Sequence, residues 1–186
     1  MLGRRRFLGL SLASTAALLL SERPAAASIA RALSLQALVR ASDRALFGTA
    51  LAAESRWEVA GGRRRIVTHT RVRVDERIAG PDDGSELWVR TLGGKVGDVG
   101  QIVHGEALLL VGEPALLFLA PSADGALSVA GMAQGHYPVR TAEDGERRLR
   151  PSPRLGELIG EGAARELSGR RLGEASALVR KAWDAR

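Results

Sequence analysis

The amino-acid sequence predicts a mainly β protein: a small antiparallel barrel or sandwich, with one short helix before it and amphipathic helices after it. Six or seven short segments, either apolar throughout or alternating between apolar and polar residues, follow one another along the chain. Turns rich in Gly, Pro and Asp separate these segments, and no helical pattern intervenes between them. Helical spacing of apolar residues begins only after Pro151, so the helices should follow the β-domain.

The first predicted elements are a short helix and two strands. Ser34 can cap a helix over residues 35–41, because its hydroxyl accepts a hydrogen bond from a free backbone N–H of the first turn. A strand is expected over residues 45–51, and Gly61-Gly62 marks a turn. Residues 64–75 alternate strictly between two faces, which predicts a half-buried antiparallel strand.

Further strands are expected beyond a polar loop at residues 80–85. Residues 92–105 are interrupted by glycines at short intervals, so we expect an elaborate loop or a pair of tight turns there. The remaining predicted strands are short apolar or alternating runs bounded by turn residues, at 86–91, 107–111, 115–119, 126–130 and 136–141.

The pattern after Pro151 predicts two helices. Ser152-Pro153 is a helix start, and Leu155, Leu158 and Ile159 would face one way. The second helix has an apolar stripe of Leu172, Ala175, Leu178, Val179, Ala182 and Trp183. The predicted organisation is therefore a leader at residues 1–27, a β-domain at 34–145 and a helical extension at 152–186.

Composition excludes several classes of function. The chain has 186 residues, 45% of them hydrophobic and 26% charged, which suits one globular domain. It contains no cysteine, so disulfide scaffolds, thiolate zinc sites, iron–sulfur clusters and cysteine nucleophiles are excluded. Only 4% of residues are aromatic, which disfavours recognition by stacking on bases or sugars.

Residues 1–27 have the pattern of an export signal. A basic start, a mildly apolar middle and a run of small residues follow one another, as in a removable secretory leader. The residues that carry this reading are two arginines, a Phe-Leu pair and an Ala-x-Ala cleavage site: Arg4, Arg5, Phe7, Leu8, Ala25 and Ala27. We expect recognition by the twin-arginine export machinery, cleavage by a signal peptidase, and a periplasmic or extracellular protein. An uncleaved anchor is the alternative, and the membrane is contacted only through this segment.

The charge balance gives no indication of a nucleic-acid partner. The net charge is +6, but residues 1–27 hold four of the 27 basic residues and one of the 21 acidic residues, which leaves +3 for the rest. A small, scattered excess of this kind affects solubility and does not form the clustered basic face that nucleic-acid binding needs. A protein partner in the cell envelope stays possible.

Several short motifs between residues 34 and 140 together form a family pattern. They are Ser42-Asp43, Gly48-Thr49, Ser55-Arg56-Trp57, Leu92-Gly93-Gly94, Gly112-Glu113, Leu117-Phe118-Leu119 and Gly131-Met132-Ala133-Gln134-Gly135. The pattern resembles a family of exported bacterial β-domain proteins of unassigned activity. More remotely, the strands around Gly48 and Gly80 are similar to the netrin-like, OB-type barrel of metalloprotease inhibitors, which implies a barrel. Those inhibitors place an amino-terminal cysteine on the zinc of their target, so their mechanism does not carry over.

The three histidines offer at most a weak metal site. No two of them have the spacing that places two imidazoles on one metal ion within a helix or strand. A site assembled from His104, His136 and a carboxylate such as Glu106 is the remaining arrangement. The alternative is that these histidines are loop residues bonded to the backbone, and no cofactor is expected.

The Gly-rich loop is the candidate binding surface. Its glycines lack the Lys and Ser or Thr of a phosphate-binding loop and have no βαβ context, so we expect them to serve turns. Loops on a rigid scaffold commonly carry binding residues. The residues selected on this ground are Gly93, Gly94, Gly97, Gln101 and Gln134.

These observations predict an exported, non-catalytic β-domain that binds a partner protein or a small ligand. The chain has no Gly-x-Ser-x-Gly elbow, and Ser, His and Asp in the composition do not by themselves make a catalytic triad. One alternative is a metal-dependent hydrolase or accessory factor that uses His104 and His136 as ligands. A second alternative is an accessory chain exported together with a cofactor-bearing enzyme.

The export signal leads to a direct test. Protein exported under its own signal from its own cells should have the mass of residues 28–186, because the peptidase cuts after Ala27. Native mass spectrometry measures this mass. The mass of the whole chain would indicate a retained anchor, and additional mass would reveal a bound metal, cofactor or partner.

Overall fold

The computed structural model describes residues 30–82 and 84–186, and these residues form a mainly β fold, as predicted. The strands are β1 (Ala30–Arg31), β2 (Arg44–Ala60), β3 (Arg63–Ala79), β4 (Glu86–Leu92), β5 (Gly94–Val96), β6 (Val99–Gln101), β7 (Pro114–Pro121), β8 (Leu127–Val129), β9 (His136–Thr141), β10 (Arg147–Leu149) and β11 (Leu158–Ile159). The helices are α1 (Leu35–Arg40), α2 (Ala163–Leu167) and α3 (Leu172–Asp184), with a 3₁₀ turn at Met132–Gly135. The predicted export signal, with Arg4, Arg5, Phe7, Leu8, Ala25 and Ala27, lies outside the described residues.

Five strands close into a ring in the order β2-β3-β4-β8-β7, because β7 pairs with both β8 and β2. Neighbouring strands are antiparallel except β4 and β8, which run parallel and pair only at Arg90 and Ser128. Five strands and incomplete closure are features of an OB-type barrel. β7 pairs with β8 near its end and with β9 near its start, over residues 115–117. β9 pairs in turn with β10, so the sheet continues beyond the ring.

The β2–β3 hairpin extends beyond the wall of the barrel. Each strand has 17 residues, and the register between them shifts at three places in the first half of β2, two of them within the part that pairs with β7. Such bulges bend a strand and increase its twist. The pairing with β4 ends at Val67, so the part of the hairpin around the Gly61-Gly62 turn leaves the barrel wall. We call residues 56–67 the hairpin tip.

Two hydrophobic cores lie on opposite sides of β7. Leu117 and Leu119 pack inside the barrel, whereas Leu116 and Phe118 pack against the helices. Alternate side chains of β7 therefore enter different cores, which explains why this strand is apolar throughout instead of alternating. In the second core the ring of Phe118 meets that of Tyr137 edge to face, with 6.3 Å between centroids.

The helices are confirmed at both ends of the β-domain. The Ser34 hydroxyl accepts a hydrogen bond from the backbone N–H of Ala37 at 3.2 Å, so it caps α1 as predicted. The apolar stripe of α3 packs on α1 and the sheet, with Ala175 and Val179 fully buried. Within residues 30–82 and 84–186, no helix is both long and apolar enough to cross a lipid bilayer.

Two predicted elements are wrong. Residues 107–111 form no strand; they run as an irregular segment in which Ala107 and Leu109 fill the barrel core while Leu110 and Val111 are exposed. A short apolar run has the same pattern whether or not a neighbouring strand pairs with it, and no strand among residues 30–82 and 84–186 pairs with this one.

The predicted helix after Ser152-Pro153 is also absent. The chain makes a turn there, and Leu158–Ile159 instead forms β11, which pairs in parallel with β1. Gly156 and Gly160 flank this short strand, and glycine in both positions disfavours a continuous helix. The strands β1 and β10 and the helix α2 were not predicted, and α2 contributes the buried Leu167 to the helix-side core.

The start of the described chain is held by residues that come much later. Ala30 and Arg31 pair with β11, and Gln134 accepts a hydrogen bond from the N–H of Leu33 at 2.7 Å. The amide nitrogen of the same Gln134 side chain donates to the carbonyl of Arg31 at 3.2 Å. The segment before α1 is therefore attached to the barrel at several points.

Stability should fall on mild acidification because His136 is buried in its neutral form. Burial, with a smaller contribution from Arg140, lowers the pKa of His136 from 6.5 to about 4. Between these values the unfolded chain binds a proton that the folded protein does not. The free energy of unfolding should therefore fall as the pH drops from about 6.5 towards 4, by up to about 3 kcal/mol.

Urea unfolding at pH 7.5 and at pH 4.5 measures this loss. In His136→Gln the loss between the two pH values should be smaller than in the unmodified protein by most of that amount. His104→Gln is the matched control, because His104 is exposed and its replacement should leave the pH dependence unchanged. Equal pH dependence in all three proteins would contradict the assignment.

Candidate functional site

A cleft of about 570 Å³ lies where the hairpin tip faces the turn between β7 and β8. We call it the barrel cleft. Its lining is apolar for the most part, with a few charged and hydroxyl groups. The lining residues are Val59, Ala60, Gly61, Gly62, Arg65, Arg90, Leu92, Glu106, Ser122, Ala123, Asp124, Ser128, Val129 and Met132. The mouth of a β-barrel is a common place for a small-molecule site, and this volume is within the usual range for one.

Arg90 lies at the centre of an ion-pair network on one wall of the cleft. Its guanidinium donates two hydrogen bonds to the carboxylate of Asp124, at 2.6 and 2.9 Å. It also lies 3.7 Å from Glu58 on the hairpin tip, whose carboxylate is 2.9 Å from Nε2 of His69. These hydrogen bonds lower the pKa of Asp124. The Arg90 charge is thus matched by two carboxylates, and the network joins the tip to β4 and to the β7–β8 turn.

Glu106 is a buried carboxyl group in the wall of the cleft. Its oxygens accept hydrogen bonds from the backbone N–H groups of Leu92 and Ala107, at 3.2 and 3.0 Å. Burial raises the pKa of Glu106, although these two hydrogen bonds oppose the shift. The group caps the open edge of β4 beyond its pairing with β8, and it takes up a proton more readily than an exposed glutamate.

The lining of the cleft also includes two serines and a methionine. The hydroxyls of Ser122 and Ser128 are hydrogen-bonded to each other at 3.0 Å. Met132 has a φ of 57°, the left-handed region that side chains other than glycine rarely adopt. Its neighbour Ala133 donates to the carbonyl of Gly105 at 2.8 Å, which holds the Met132 turn against the segment that carries Glu106.

The residues predicted to form a binding loop are separated in the structure. Gly93, Gly94 and Gln101 line a different hollow of about 270 Å³, beside the β5–β6 hairpin. Gly97 lies in the turn of that hairpin, and Gln134 lies in the 3₁₀ turn near β1. The structure therefore does not bring Gln134 together with the four others.

The two glutamines have structural partners. Oε1 of Gln101 accepts the backbone N–H of Ile66 at 2.9 Å, at the point where β3 has run past the end of β4. Gln134 bonds to both Leu33 and Arg31, as described above. Both side chains therefore satisfy backbone groups at places where strand pairing stops.

The histidine pair does not assemble a metal site. His104 is exposed, whereas His136 is buried with its Nδ1 3.1 Å from the hydroxyl of Ser152. Glu106 uses its oxygens on backbone N–H groups instead. In the part of the chain that the structure describes, no group of three His, Asp or Glu side chains could hold a metal ion.

Most residues of the barrel cleft were not predicted from the sequence. Arg65, Arg90 and Asp124 are far apart in the chain, and nothing in their local patterns distinguishes them from other surface charges. Glu106 did carry a signal, because a single carboxyl group between Gly105 and an apolar run is unusual enough to suggest a buried role. The reading selected it only as a metal ligand.

Comparison with known proteins adds no family to this geometry. No protein-family model matches the chain. No curated protein matches it at a significant level. The resemblance to exported bacterial β-domain proteins therefore stays an expectation from the sequence.

Gly94 should be far less tolerant of a side chain than Gly97. A Cβ atom at Gly94 would collide with the hydroxyls of Ser55 and Thr68, whereas a Cβ at Gly97 would have nothing within 4 Å. The backbone differs too, because Gly97 has a φ of 57°, in the left-handed region that other residues occasionally adopt, whereas Gly94 has a φ of 134°, outside that region. Gly94→Ala should lower the free energy of unfolding by about 2–5 kcal/mol, as strain and overpacking add. Gly97→Ala should cost about 1 kcal/mol from strain alone.

Urea unfolding of the two variants measures the difference. Similar losses of stability would show that the β5–β6 hairpin adjusts to a side chain at either position. If Gly94→Ala is as stable as the unmodified protein but no longer binds the partner protein or small ligand, the loop has the recognition role that the sequence predicts.

Proposed function

We propose that this protein is an exported, non-catalytic β-barrel module that binds a small ligand in the barrel cleft. The cleft is the observation that carries the proposal. It combines a volume of about 570 Å³ with apolar walls and a few convergent polar groups, Arg65, Arg90 and Glu106. Sites for small molecules have this composition, whereas sites for protein partners are flatter and larger.

The arrangement of polar groups favours binding over catalysis. The polar side chains of the cleft are hydrogen-bonded within the protein: Arg90 to Asp124, Glu106 to backbone N–H groups, and Ser122 to Ser128. A catalytic site needs a nucleophile or base that is left accessible and activated. Ser152 and His136 form a hydrogen-bonded pair, but both are buried outside the cleft, at 4% and 1% exposure.

The proposed place of action is the periplasm or the extracellular space. The support for it is the leader pattern of residues 1–27, with its paired arginines and its Ala-x-Ala site. The chain has no cysteine, so its folding requires no disulfide bond and no oxidising compartment.

A matched pair of variants tests whether ligands bind in the cleft. The β7–β8 turn and the β9–β10 turn have the same hydrogen bonds: Ser122 to Ala126 and Gly125 to Ser122 in one, Ala142 to Glu146 and Gly145 to Ala142 in the other. Ala123 is exposed and lines the cleft, and Glu143 has the equivalent position in the other turn. Ala123→Trp would fill the cleft, whereas Glu143→Trp would add the same ring elsewhere.

A library of small molecules should be screened against the full chain by ligand-observed NMR. We expect compounds that bind the unmodified protein and Glu143→Trp with similar affinity, and that bind Ala123→Trp at least about tenfold more weakly, because the indole occupies their space. Compounds that bind all three proteins equally, or no binding compounds at all, would overturn the proposal.

A further inference from the structure

Arg65 differs from the other arginine of the barrel cleft in having no partner. Within the described part of the chain, its guanidinium makes no hydrogen bond or ion pair. Its cross-strand neighbour is Glu58, but that carboxylate is bonded to Arg56 and His69 instead, at 2.6 and 2.9 Å. Arg65 is only partly exposed and faces the cleft. A half-buried guanidinium without an anion is a ready site for one.

Arg90 cannot serve the same purpose. Its side chain is 10% exposed, and its donors already meet the carboxylates of Asp124 and Glu58. An anion at Arg90 would have to displace Asp124 from a bidentate ion pair. The two arginines therefore have separate roles, since Arg90 holds the wall together and Arg65 is available to a ligand.

Glu106 does not make the cleft a site for cations. Its two oxygens are occupied by the N–H groups of Leu92 and Ala107, and the residue is 6% exposed. Burial raises the pKa of this carboxyl group, which brings its neutral form closer to neutral pH.

The apolar lining of the cleft is unusually exposed at two positions. Val59 is 69% exposed and Met132 is 39% exposed, and both line the cleft. Met132 is held in a left-handed conformation, which directs a flexible thioether to the cleft at some cost in strain. A ligand with a hydrocarbon body would remove this apolar surface from water.

We infer that the ligand of the barrel cleft is a small amphipathic anion, a carboxylate or similar acid with a hydrocarbon body. Its charged group pairs with the guanidinium of Arg65, and its body covers Val59 and Met132. This inference rests on the proposed function, because it assigns a chemical class to the ligand of the same cleft.

Three probes with the same hydrocarbon chain and different head groups test the charge preference. Octanoate, 1-octanol and octylamine are titrated separately into the full chain at pH 7.5 and followed by protein-observed NMR. Octanoate should bind at least about tenfold more tightly than the other two, because only its head group carries a negative charge that forms an ion pair with Arg65. Octylamine that binds as tightly as octanoate would overturn the inference.

Two neighbouring arginines provide the matched variants. Arg65→Gln should weaken octanoate binding by about tenfold or more and leave 1-octanol unchanged, whereas Arg65→Lys should recover part of the loss. Arg64→Gln removes the same charge one residue away, where the guanidinium lies 5.0 Å from the ring of Trp57 and does not line the cleft. Its octanoate affinity should equal that of the unmodified protein.

The outcomes separate this inference from the proposed function. Octanoate binding that Arg65→Gln does not weaken, or that Ala123→Trp does not block, would overturn the anion assignment. Library compounds that Ala123→Trp blocks, together with no binding of octanoate, would also overturn it while leaving the cleft as a ligand site. If Ala123→Trp blocks no compound at all, the proposed function fails as well.

Discussion

The pairing of β2 with β3 is the constraint on which the rest of the structure depends. The first half of β2 contains the register shifts, and it bends around the barrel core and closes the ring by pairing with β7. The other half has no strand partner except β3, so it leaves the wall and becomes one side of the barrel cleft. One hairpin therefore supplies two strands of the barrel wall and one side of the barrel cleft. The bulged half of β2 belongs to the wall, and the regular half reaches the cleft.

Arg90 connects these two parts. Its backbone makes the single β4–β8 pair that closes the ring, and its side chain reaches both Asp124 and Glu58. Ion pairs that are partly open to water add little to stability. Their geometry matters more here, because one guanidinium contacts the hairpin tip through Glu58 and the β7–β8 turn through Asp124.

Local patterns predicted most of the barrel, and long-range contacts decided the rest. Strict alternation identified β3, and turn residues bounded the apolar run of β7. The same reasoning failed at residues 107–111, because an apolar run does not show whether a neighbouring strand pairs with it. The lining of the cleft could not be predicted for the same reason, because Arg90 and Asp124 are 34 residues apart in the sequence and are brought together only by the fold.

The parallel pairing of β1 with β11 has a consequence for the order in which the protein assembles. Ala30 meets Leu158, so its partner is synthesised only after every strand of the barrel. Contacts between residues that are distant in the sequence form slowly. Here the earliest described segment is among the last to be attached, and its attachment marks a chain that has been synthesised through Ile159.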